Sequence, residues 1–140
     1  MTVYYSEILD RIYATSGLST LSPGSQAALL HPDYAEALTL LVRDVAGALI
    51  AGVPRAIVSN IILGDESIQI TFAANTDNDD IAKASFISAV TTLVLAQIKI
   101  AASSDPDAIL SLVRLLPSLS SAVTNAVTPP VAPARIRPCY

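Results

Sequence analysis

The chain has 140 residues, of which 52% are hydrophobic and only 14% charged, with a formal net charge of −4. That length suits one domain with one core, and so few charges, against about 25% in ordinary soluble domains, leave a monomer short of groups to cover its surface. Without Arg135 and Arg137 near the C-terminus, 6 bases face 12 acids, which excludes the Lys and Arg clusters that phosphate backbones require and, with them, nucleic-acid contact by the body. The competing reading is an Ala- and Ser-rich monomer whose small residues dilute the charge count.

The opening Met1-Thr-Val-Tyr-Tyr-Ser-Glu lacks a basic segment followed by an apolar one, so the expectation is cytoplasmic synthesis without a signal peptide. Cys139 is the single cysteine, which rules out an intrachain disulfide and favours a reducing compartment. Tyr5, Ile8, Leu9, Ile12 and Tyr13 recur at helical spacing, predicting a helix from Val3 to Ser16 with Thr2 as its N-cap. Gly17 and Leu18 then read as a Schellman-type end. Ser22-Pro-Gly-Ser repeats a capping serine followed by proline, opening a short helix to Leu30.

Asp33-Tyr-Ala-Glu36 has the form of a capping box. The helix after it surrounds a narrow polar stripe of Glu36, Arg43, Asp44 and Gly47 with apolar residues, so most of its circumference is expected to be buried, and Gly52 and Pro54 end it. The period then changes from 3.6 to 2. Ser67–Phe72 alternates strictly, with Ile68, Ile70 and Phe72 on one side, and the β-branched run from Ala56 to Leu63 is joined to it by Gly64-Asp-Glu. A single β-hairpin over roughly 56–73 is predicted, with no third strand. Two strands alone are marginal and leave two open edges, so Ile57, Ile61, Leu63, Ile68, Ile70 and Phe72 become candidate strand-edge contacts with another chain.

Asp77-Asn-Asp-Asp80 gathers acids at the start of a long helix to Ala102, where the macrodipole favours them. Its apolar run from Ala84 to Ile98 is fifteen residues, short of the roughly 20 that span a bilayer, and reads as a core helix. Asp105-Pro-Asp restarts a helix whose polar residues Ser111, Arg114, Ser118, Ser121 and Asn125 recur across Pro117. This pattern fits one helix kinked at Pro117, with two helices broken at Leu116 as the alternative. From Thr128 four prolines favour polyproline II, about 40 Å long at about 3.1 Å per residue. The expected architecture is therefore α+β, mainly α: about five helices with a single hairpin on or beside the helical core over 1–127, and an extended tail over 128–140.

Side-chain chemistry is sparse. His31 is the single histidine, placed before a helix without a second histidine or a cysteine to complete a triad or metal site. Cys139 has only Arg137 as a basic neighbour in sequence. Asp77, Asp79 and Asp80 faintly suggest calcium, but Ile81, Ala82 and Ser88 stand where a helix–loop–helix calcium site wants an oxygen ligand, a glycine and a glutamate, so helix capping is the reading preferred. No catalytic, cofactor-binding or metal residue is assigned, and no enzyme is expected.

The tail carries the most specific pattern. Pro130-Val-Ala-Pro133-Ala-Arg135 matches the PxxPxR form bound by polyproline-recognising domains. Pro129, Pro130, Pro133, Arg135, Arg137 and Tyr140 are the candidate partner-binding residues of a strap that docks on a neighbouring subunit. The function expected is a structural, self-associating subunit of a ring, shell or virion-like particle, of connector or decoration type, partnered by its own copies and other assembly proteins and without a membrane span. The alternative is a soluble binding module or adaptor for an apolar ligand or a peptide-binding partner.

Overall fold

In the computed structural model, which describes residues 1–17, 35–73, 79–102 and 106–127, the N-terminus is a strand. Thr2–Tyr4 forms β1 and runs antiparallel to β3 (Ser67–Phe72), with Thr2 opposite Gln69, Val3 opposite Ile68 and Tyr4 opposite Ser67. The Met1 nitrogen donates to the Ile70 carbonyl and the Ile70 amide donates to the Met1 carbonyl, each at 2.9 Å, extending the ladder by one residue. β2 (Val58–Leu63) pairs with the other edge of β3, giving a three-stranded antiparallel sheet in the order β1-β3-β2. The prediction of a lone hairpin is thus corrected: the hairpin exists, with Gly64–Glu66 as its connection, but a third strand lies sixty-odd residues earlier in the chain.

That strand displaces the predicted helix start. Helix α1 spans Tyr5–Gly17, and its cap is made from Tyr4, whose amide donates to Glu7 Oε2 at 3.0 Å, so Thr2 is a sheet residue instead of the N-cap. Gly17 is the last helical residue. Its predicted partner Leu18 lies outside the described residues, as do the predicted short helix at 22–30, His31 and the Asp33 cap. Helix α2 runs Ala35–Ala51, α3 Asp79–Ala102 and α4 Pro106–Val127, making four helices among the described residues. α4 continues across Pro117 as one helix, as its polar spacing predicts. With Asp77 outside the described residues, α3 begins on Asp79 and Asp80, both exposed.

One face of the sheet and the inner faces of four helices share a single core. Ile68 and Ile70 point into it from β3, as the alternation predicts, with Val3 from β1 and Val58 from β2, while Gln69 and Thr71 face outward. Ile8 and Ile12 of α1, Val42 and Leu49 of α2, and Phe86, Val90 and Val94 of α3 fill its centre. α3 is its axis, touching α1, α2 and, most extensively, α4. α2 is less enclosed than its composition implies, since Leu40 is 61% exposed and Ala37 and Ala48 also face outward.

Candidate interaction surface

The hairpin tip is tied down by two polar side chains. Tyr5 donates through its hydroxyl to the Gly64 carbonyl at 3.1 Å and through its amide to the Glu66 carbonyl at 3.0 Å, while Arg43 Nη2 donates to the Leu63 carbonyl at 2.9 Å. Burial pushes the Tyr5 phenol above its ordinary value, with Asp65 adding to the rise and Arg43 opposing it, so it stays a neutral donor. A hollow of about 390 Å³ beside them is lined by Tyr5, Glu36, Thr39, Leu40, Arg43, Gly64 and Asp65. Tyr5 Oη and Arg43 Nη2 on its wall both hold the hairpin.

The predicted strand-edge residues separate into two groups. β3 is the central strand, so Ile68 and Ile70 have no free edge and are core residues instead, which corrects that expectation for them; Phe72 lies past the end of β1, whose ladder stops at Met1 and Ile70. β2 does form an edge. Gly64 N donates to the Ser67 carbonyl, so the alternation of an antiparallel ladder turns the backbone groups of Ile61 and Leu63 outward. Arg43 takes one of these, the Leu63 carbonyl. The register shift between Val58 and Asn60 is a bulge that blunts the same edge. Ile57 precedes the strand and accepts from the Ala73 amide at 2.9 Å. A second hollow of about 410 Å³, between the C-terminal half of α2 and residues Val58–Ile61, follows the edge.

Among the described residues, exposed large hydrophobic side chains gather elsewhere, on the N-terminal half of α4. Ile109, Leu110 and Val113 are 53%, 57% and 64% exposed, and Pro117 is also exposed. Toward its C-terminus the same helix is buried: Val123 and Val127 are in the core and Ser120 Oγ donates to the Leu49 carbonyl of α2 at 3.1 Å. The approach there is close, since a Cβ on Gly52 would stand 2.5 Å from Ser120 Oγ. α4 and α2 therefore meet tightly at Gly52 and Ser120 and leave a wedge nearer the N-terminus of α4. Val45, Ala48, Leu93, Gln97, Leu112, Val113, Leu116 and Pro117 line about 230 Å³ of it.

By length and composition two helices are apolar enough to cross a membrane, over Asp79–Ile100 and Ile109–Val127. This revises the expectation of a fifteen-residue limit. The first is 44% buried inside the chain, as a core helix is, and the second only 11%. Among the described residues no three His, Cys, Asp or Glu side chains gather as a metal site would need. The tail candidates Pro129, Pro130, Pro133, Arg135, Arg137 and Tyr140, together with Cys139, lie outside the described residues.

The face on α4 was not among the predicted site residues. A signal was present, because Ser111, Arg114, Ser118, Ser121 and Asn125 mark only a narrow polar arc, leaving more apolar circumference than one neighbouring helix can cover. Comparison with protein-family models, with curated proteins and with solved structures finds no match.

Proposed function

We propose that this protein is a structural, self-associating subunit of a larger assembly, a ring, shell or virion-like particle, in which residues 128–140 strap onto a neighbouring subunit. The observation that carries the reading is the exposed apolar face of α4, where Ile109, Leu110 and Val113 are each more than half exposed on a chain that is only 14% charged. The open edge of β2 and the Pro-rich, Arg-bearing tail add two further surfaces of the same kind. Its partners are its own copies and other proteins of the assembly, its body makes no nucleic-acid contact, and no catalysis belongs to this role. Cytoplasmic synthesis and a chain that does not span a membrane are part of the same proposal.

Magnitudes decide what kind of contact this is. Fully burying a Val, Leu or Ile side chain is worth about 1.5–3 kcal/mol, so covering the exposed part of these three recovers roughly 3 kcal/mol per copy. Association costs an estimated 4–15 kcal/mol. The face alone therefore supports a weak, concentration-dependent contact, and a stable particle needs a second one, which the tail supplies.

Light scattering coupled to size-exclusion chromatography tests this directly. The full chain is expected to exceed the monomer mass increasingly with concentration, and deletion of residues 128–140 to lower the apparent mass. A clean monomer at high concentration, unchanged by the deletion, overturns the reading. A binding module for an apolar ligand is the second reading, favoured by the wedge of about 230 Å³. A co-purified lipid in native mass spectra, on a monomeric chain, would select it.

A further inference from the structure

The exposed residues of α4 are not scattered. Pro106, Leu110, Val113 and Pro117 follow one another at spacings of four, three and four residues, so they form one straight seam along the first three turns, and all four are exposed. Asp107 and Arg114, seven residues apart and both exposed, share one flank of that seam. On the other flank Ile109 and Leu116, of which Leu116 lines the wedge, are likewise seven residues apart.

We propose that this seam pairs with the same seam of a second copy, antiparallel, about a two-fold axis passing between Leu110 and Val113. Reversing a copy over itself sets Leu110 against Val113 of the other and Pro106 against Pro117. On one flank Asp107 then meets Arg114, twice by symmetry, and on the other Ile109 meets Leu116 and closes the wedge. An isologous contact requires a patch complementary to itself, and opposite charges at equivalent flank positions satisfy that in the reversed direction. A parallel pairing would set the charged flank of one copy against the apolar flank of the other, Asp107 and Arg114 beside Ile109 and Leu116, and leave both charges without an opposite partner across the seam. The proposal rests on the self-association reading above and adds which surface is used and in which orientation.

The test exploits the charge pair. Asp107→Arg and Arg114→Asp, each alone, create two like-charge contacts and are expected to weaken pairing of the full chain roughly tenfold or more by sedimentation equilibrium. Mixing the two variants in equal amounts is expected to restore it, because each then meets its opposite. A cross-link between a Leu110→Cys chain and a Val113→Cys chain, both carrying Cys139→Ser, supplies a second readout and is expected to exceed that of either chain alone. If both charge variants associate like wild type, or the mixture fails to recover, the seam is not the contact, while association by another surface stands. If wild type is monomeric throughout, both this inference and the proposed function fall. Should the chain instead float with phosphatidylcholine vesicles and give no cross-link, lipid covers the seam and the inference is overturned.

Discussion

The two halves of α4 have opposite fates, and the half richer in Leu and Ile is the less covered one. From Ser120 onward the helix is seated, with Val123 only 2% exposed and Ser120 bonded to the end of α2, whereas Ile109, Leu110 and Val113 lie open. The difference is one of neighbours. α2 and α4 touch where Gly52 lacks a side chain and Ser120 has a short one, and nearer the N-terminus of α4 the space between them becomes the wedge. Hydrophobicity along a helix fixes how much surface wants cover, and the path of the next helix decides which part receives it.

The sharpest way to break this comparison is to place the same charge in both halves. Val123→Asp buries an unpaired carboxylate and is expected to cost about 4 kcal/mol or more, leaving little folded protein in urea titration. Val113→Asp should stay within about 0.5 kcal/mol of wild type while abolishing the concentration-dependent mass increase. Equal losses at the two positions would show that the N-terminal half is packed after all.

Next in size is the contact that closes the wedge. Gly52→Ala puts a Cβ 2.5 Å from Ser120 Oγ, so the hydroxyl must turn away from the Leu49 carbonyl, at an expected cost of about 1–3 kcal/mol. Gly52→Ala combined with Ser120→Ala should cost less than the two changes summed, because the first has already broken the bond the second removes. Additive losses would mean that the two residues do not meet.

A smaller effect of opposite sign is expected in α3. Thr91 is 4% exposed and its hydroxyl has no hydrogen-bond partner among the described residues. Thr91→Val removes that unsatisfied group at constant shape and should stabilise by about 1 kcal/mol, a rise in melting temperature readable by calorimetry. A fall instead would reveal a partner for the hydroxyl, such as a side chain from another copy.

The smallest effect separates surface from core. Lys83 Nζ lies 2.9 Å from Glu7 Oε1, and this hydrogen bond, with that from the Tyr4 amide, holds the Glu7 carboxyl below its ordinary value of 4.5. A carboxylate lowered in the folded state adds stability above its unfolded pKa and loses it as pH falls through the folded one. The difference in urea midpoint between wild type and Glu7→Gln is therefore expected to be present at pH 6 and to shrink below about pH 4. Both side chains are partly exposed, so it should be less than any effect above and diminish with salt. A difference that persists at pH 3 would assign it to something other than the carboxylate.

Most of the helical framework was readable because local signals agree with it. Ile8 and Ile12, Val42 and Leu49, and the alternation of Ile68 and Ile70 announce both the period and the buried side. Thr2-Val-Tyr4 was not readable, because three residues are too few to show a period of 2 and nothing local distinguishes them from one more helical turn. Its identity is settled by Ile68 and Ser67, far along the chain. The exposed seam was hidden for a related reason: Leu110 and Val113 cannot be told from Leu112 and Leu116 by residue type, and only the path of α2 separates them. Edge residues were legible in β2 and misassigned in β3, since an unseen strand turns an edge into a centre.

The N-terminal strand also sets an order of events during synthesis. Met1, Val3 and Tyr4 are translated well before the residues they pair with, Ser67–Ile70. At about 5–20 residues per second, roughly 3–15 seconds pass before that strand exists. Until then Met1–Tyr4 has no strand to pair with, and the face of α1 that packs on α3 stays uncovered longer still, until Asp79–Ala102 has followed.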